Sequence, residues 1–155
     1  MRRILFLFIL IFLILQVFQP SRNTSTDILK TDIANMYNLP DSVEVLLTNT
    51  CYDCHSNNSE YPWFTNIQPI AWFVKNNIEK GKSHLNFSNF GEYDQKTIIK
   101  KLNKLSEVMR QDKMPIKTYK WYYKKASLSS TERNLIANWA INLKDSLERS
   151  ATTNY

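Results

Sequence analysis

Every position from Ile4 to Leu15 is apolar, and the run resumes past Gln16 with Val17 and Phe18. Nothing downstream has that density; from residue 27 onward the apolar positions fall at helical spacing. Ile28, Leu29, Ile33 and Met36 predict a short helix within Asp27–Tyr37. Pro40 restarts the chain, Asp41 and Glu44 are spaced as a capping box, and Val43, Val45, Leu46 and Leu47 lead towards Cys51. A further helix is predicted from Ile70 to Lys80, with Gly81 as its C-cap. A longer one runs from about Asp94 to Arg110, with Ile98, Leu102, Leu105, Val108 and Met109 on one face. Ser129 and Glu132 repeat the capping-box spacing before a last helix carrying Leu135, Ile136, Trp139, Leu143 and Leu147. Residues 56–69 and 82–93 read as ordered loops. No strand-like alternation occurs, and the chain has only two glycines, which suits helices better than a many-turned β fold. The expected fold class is all-α, a single domain of four or five helices behind an N-terminal apolar segment.

That segment begins Met1-Arg2-Arg3. As a helix, Ile4 to Phe18 spans about 22 Å, short of the roughly 30 Å of a bilayer's hydrocarbon core, so length alone favours a signal-peptide core. Between Phe18 and Thr24, however, no small-residue cleavage site occurs. The reading is a signal or membrane anchor over residues 1–20, a polar linker over 21–26 and a domain over 27–149. The two arginines orient the chain with its N-terminus in the cytoplasm. The expected location is the periplasmic face of a bacterial inner membrane, or the periplasm if the segment is cleaved.

The formal net charge is +6, but the lysines are spread along the chain without a long basic run. Nucleic acid is therefore not an expected partner. A basic surface suits an acidic protein partner or anionic lipid headgroups, with salt weakening either contact.

The chain has two cysteines and two histidines, and three of the four lie in Cys51-Tyr52-Asp53-Cys54-His55. C-x-x-C-H is the c-type haem attachment pattern: two thiols add to the two vinyl groups of one porphyrin, and the next imidazole turns onto the iron. A thioredoxin-like dithiol expects a βαβ setting that these flanks do not offer. A zinc site would need Cys51, Cys54, His55 and the distant His84 together. A Cys51–Cys54 disulfide would close too small a loop to constrain much of the unfolded chain. The export signal agrees with covalent haem c.

The sixth iron ligand decides between electron transfer and small-molecule chemistry. Met114, followed by Pro115 in a loop after a helix, is the candidate, with core packing as its alternative role; Met36 and Met109 fall on apolar helix positions and are expected in the core. His84 is the rival, or else an ordinary loop histidine. Tyr61, Trp63, Phe64, Trp72 and Phe73, and later Tyr119, Trp121, Tyr122 and Tyr123, are candidate pocket walls or ordinary core. Three Asn-x-Ser sequons, at Asn23, Asn57 and Asn86, carry little weight in an asparagine-rich chain.

Over roughly residues 10 to 145 the chain resembles the small bacterial haem-binding domain proteins with a single C-x-x-C-H, a cytochrome c-like group commonly held behind an N-terminal anchor. The resemblance lies in Asn49 to Asn57 around the motif, Tyr61-Pro62-Trp63, Ile67-Gln68-Pro69, Trp72, His84 to Ser88, Met114-Pro115 and the segment from Leu128 to Trp139. It implies haem attachment at Cys51 and Cys54 with His55 as proximal ligand, and it includes the positions of His84 and Met114. A more distant similarity to class I cytochromes c, in the Met-Pro loop and the capped last helix, favours Met114. The expectation is a membrane-tethered monohaem electron carrier with His55 and Met114 on the iron and an unidentified redox partner. The alternatives are a peroxidase-like haem enzyme and a haem-based gas or redox sensor, with an open or His84-ligated sixth position.

Overall fold

A computed structural model describes residues 1–25, 27 and 29–153, with the side chains of all of these but residues 125, 152 and 153. Its helices are α1 (Arg2–Leu15), α2 (Ile33–Met36), α3 (Asp41–Thr50), α4 (Tyr52–His55), α5 (Ile70–His84), α6 (Gln95–Arg110), α7 (Lys117–Tyr122) and α8 (Ser130–Thr153). Single 3-10 turns occupy Trp63–Asn66, Phe90–Glu92 and Lys124–Ala126, and no strand occurs among the described residues. The fold is all-α. Four long helices, α3, α5, α6 and α8, build the domain; α4 and α7 are too short to leave a periodic signature.

The core is seamed by α6 against α8. The stripe Ile98, Leu102, Leu105 and Met109 is buried as the spacing predicts, and it meets Ile136, Ala137, Trp139 and Ala140. The two alanines are fully buried. Their small side chains allow close helix approach. Leu47 and Val43 of α3, Ile33 of α2 and Phe87 and Phe90 of the α5–α6 loop complete the cluster. Leu135 is an exception to the predicted stripe: it is 39% exposed, one position off the buried face. Met36 also stays largely outside the core, its sulfur resting against Gly91.

The helix ends follow capping chemistry. At α8 the Ser129 N–H donates to Glu132 Oε2 (2.7 Å) and the Glu132 N–H to Ser129 Oγ (3.2 Å), the reciprocal box that was predicted. Asp94 caps α6 by accepting from the Thr97 N–H at 2.9 Å. The Asp41/Glu44 box does not form. Pro40 is the N-cap, its carbonyl accepting from Val43 (2.8 Å) and Glu44 (3.0 Å), which places both carboxylates inside the first turn, where they still suit the helix dipole. The first domain helix is shorter than predicted because Asp32 accepts from the Ala34 N–H and starts the helix there; Ile28 lies outside the described residues. Gly81 does not end α5 at Lys80 but lies buried within it.

No helix among the described residues is long and apolar enough to cross a membrane. None of the 14 residues of α1 is buried. After it the chain is strapped to the domain: Asn23 accepts at its carbonyl from Ser59, and its side chain bonds the Ser56 carbonyl, Ser59 Oγ and Lys82 Nζ.

Candidate functional site

Thr50 closes α3 by donating its hydroxyl to the Leu46 carbonyl at 2.7 Å, and Cys51 then serves as C-cap of α3 and N-cap of α4. The N–H groups of Cys54 (3.1 Å) and His55 (2.9 Å) both donate to the Cys51 carbonyl. One tight turn therefore carries both thiols and the imidazole. The cysteines are not bonded to each other. Burial pushes the Cys51 thiol up to about 11, and burial, then the Asp53 and Cys51 charges, push Cys54 up to about 12. Both are neutral thiols at neutral pH, the reverse of the lowered pKa that a dithiol redox nucleophile uses. Among the described residues, no group of three or more His, Cys, Asp or Glu side chains is arranged to hold a metal ion.

His55 is the most constrained member. Its Nδ1 lies 2.8 Å from the Leu85 carbonyl, so the proton belongs on Nδ1 and the lone pair on Nε2. Burial lowers its pKa, partly offset by the Leu85 and Gly81 carbonyls, and keeps the ring neutral near pH 7. The Phe87 N–H donates to the His55 carbonyl at 2.7 Å, and the Phe87 ring stacks on Tyr52 with centroids 5.4 Å apart. Tyr52 in turn donates its hydroxyl to Asp32 at 2.9 Å. Asn86 bridges Asn57 (2.9 Å) and Asn89 (3.1 Å), binding this loop to the residues just past the motif. The three sequon asparagines are thus all internal clamps.

Gly81 lets α5 lie against the turn. A Cβ there would stand 2.3 Å from the Cys54 carbonyl oxygen, closer than any real contact. The opposite flank comes from α7. Tyr119 donates its hydroxyl to Asp53 Oδ2, the Glu60 N–H donates to Asp53 Oδ1 at 2.8 Å, and Tyr122 packs edge-on against Phe64. Burial first, then Cys54 and Asp53, raises the Tyr122 pKa, which puts α7 in the immediate surroundings of Cys54.

Met114 is half-buried in the α6–α7 connection, packed on the main apolar cluster. His84 is exposed on the last turn of α5, next in the chain to Leu85, and its charge contributes to lowering the His55 pKa. Trp63 and Trp121 are 76% and 83% exposed and wall no pocket at the motif. A hollow of about 550 Å³ borders Tyr52 and Ser56, but Thr24, Ser25, Asp27 and Asp32 make it polar, unlike a porphyrin box. The roles of Leu85 and Gly81 were not legible in the sequence, and Tyr119, a candidate pocket wall there, instead bonds Asp53. Leu85 acts through its carbonyl, which every residue carries, and Gly81 carried a signal that also reads as a helix end.

The donor set fits a haem: two unpaired thiols on one turn, followed by a neutral imidazole held through Nδ1 with Nε2 as its lone-pair nitrogen. No curated protein and no solved structure matches the chain. Residues 10–142 match the model of the haem-binding domain family, and the chain belongs to that family.

Proposed function

We propose that the protein is a membrane-tethered monohaem electron carrier, with haem c attached through Cys51 and Cys54, His55 as proximal ligand and Met114 as sixth ligand. The observation that carries this reading is the bond between His55 Nδ1 and the Leu85 carbonyl, which fixes the tautomer and ring orientation a haem-iron histidine needs. Bound haem would supply a one-electron iron couple, its potential set by axial ligand, burial and hydrogen bonding. The chain's part is to hold and shield. Phe87 and Gly81 fix the turn from one side, and Tyr119 ties Asp53 to the segment that follows Met114.

His84 is exposed and precedes Leu85, whose carbonyl holds His55 Nδ1, whereas Met114 is half-buried on the main apolar cluster, and this supports Met114 over His84. The basic surface suits an acidic redox partner. The apolar α1, none of whose residues is buried, supports tethering.

The test is the optical spectrum of the full chain, expressed with a c-type haem maturation system, before and after acid–acetone extraction. Haem that survives extraction, sharp low-spin reduced bands and the sulfur-to-iron charge-transfer band of the oxidised form are expected. Met114→Ala should lose that last band and His84→Ala should keep it. Haem removed by extraction would refute covalent attachment. A high-spin iron that turns over peroxide, or a reduced iron that binds carbon monoxide, would refute the carrier role in favour of an enzyme or a sensor.

A further inference from the structure

The apolar helix and the folded domain meet without slack. Gln16 Nε2 donates to the Gln68 carbonyl (3.4 Å), and the Gln68 N–H donates back to Gln16 Oε1 (2.9 Å). The side-chain amide of Gln68, a fully buried residue, donates to the Phe18 carbonyl at 2.7 Å, and that carbonyl also accepts from Trp72 Nε1 at 3.0 Å. Gln19 Nε2 reaches the Asn66 carbonyl at 3.1 Å. Residues 66–72 are thus fastened to the carboxyl end of α1, and wherever that end goes they go too.

Around the joint stand large side chains that the fold leaves uncovered: Phe18, Trp63, Ile70, Trp72 and Phe73. Arg22 adds a cation at the same level, its guanidinium 5.2 Å from the Tyr61 ring centre and hydrogen-bonded to Asn66. We propose that this collar seats the domain in the interfacial layer of a bilayer bearing anionic headgroups; the inference rests on the reading of α1 as a membrane anchor. A helix of 14 residues covers about 21 Å, less than the roughly 30 Å of hydrocarbon, so inserting it draws its fastened end, and the collar with it, to the membrane surface. Tryptophan prefers that depth, and an arginine there is drawn to anionic headgroups. The collar is continuous with α1, whose exposed apolar surface needs the same cover.

The test uses the full haem-loaded chain in vesicles of phosphatidylcholine and phosphatidylglycerol containing a lipid with a photoactivatable diazirine near the acyl carbonyl. After illumination, adducts are mapped by mass spectrometry, with carbonate extraction and haem content recorded on the same sample. The expected result is adducts on residues 62–75 as well as on α1, and none on α6. Replacing two exposed collar residues, Trp63→Glu with Phe73→Glu, should cut adducts on 62–75 several-fold while leaving haem content unchanged. Adducts confined to α1 in a carbonate-resistant sample would overturn the seat and leave the tether standing. Release by carbonate would overturn both. Chain-to-chain crosslinks over 62–75 without lipid adducts would overturn the seat by giving that face to a second copy.

Discussion

At Gly81 the absence of a side chain is what allows α5 to lie on the cysteine turn. Gly81→Ala would press a carbon into the Cys54 carbonyl, a backbone atom that no rotamer change can move. The expected cost is about 2 kcal/mol, read as a lower thermal midpoint, together with a lower yield of attached haem because the same push displaces Cys54. Tyr119→Phe removes a hydroxyl from the Asp53 carboxylate and leaves that carboxylate one donor short. Denaturant melts should show a loss of about 1–2 kcal/mol. If Tyr119 also positions the Met114 segment, the sulfur-to-iron band should weaken in the same variant; an unchanged band would separate stability from ligation. Cys51, Cys54 and His55 were legible because their chemistry resides in residue type and short spacing. Their supports were not: Leu85 acts through a main-chain carbonyl, and the Asp53–Tyr119 pair joins residues 66 positions apart.

The helices of the domain were legible in proportion to their length and to the chemistry at their ends. The stripe of α6 and the capped start of α8 can be read straight from spacing, since both are local. The start of α2, the cap of α3 and the end of α5 were not, because the decision lay with Asp32, with the Pro40 carbonyl and with packing on a neighbouring element. Removing the α8 cap by Ser129→Ala should destabilise the domain by about 1 kcal/mol in urea titration. The carboxyls of Asp94 and Glu132 are held below the usual range, chiefly by bonds to Thr97 and Ser129. Because their folded pKa values are depressed, the folded state resists protonating them. The stability they give is present above the ordinary carboxylate pKa of about 4 and is lost as pH falls through the folded values. An acid titration followed by circular dichroism should therefore show Asp94→Asn and Glu132→Gln unfolding with a weaker dependence on pH below about 5 than the parent.

For the whole molecule, the strap between α1 and the domain sets what can be removed. A chain lacking residues 1–15 retains the bonds from Phe18 to Gln68 and Trp72 and from Asn23 to Ser59 and Lys82, and it should fold. A chain lacking residues 1–23 leaves the buried Gln68 amide without its acceptor and frees the loop behind the cysteine turn. Its thermal midpoint should fall by about 10 °C relative to the longer truncate, as expected for the loss of several part-buried hydrogen bonds, each worth less than a fully buried one.

Cys51 is 8% exposed, packed into the principal core beside Val43 and Leu47. A sulfur enclosed in this way cannot reach out to a large planar molecule arriving from solvent. If Cys51 is one of the two points of covalent attachment, the order of events in the life of the chain is fixed: the bond must form before the core around α3 and α8 has closed, and the domain then closes around a group it already carries. Maturation would precede folding, and chain that closed first would be a dead end needing to reopen.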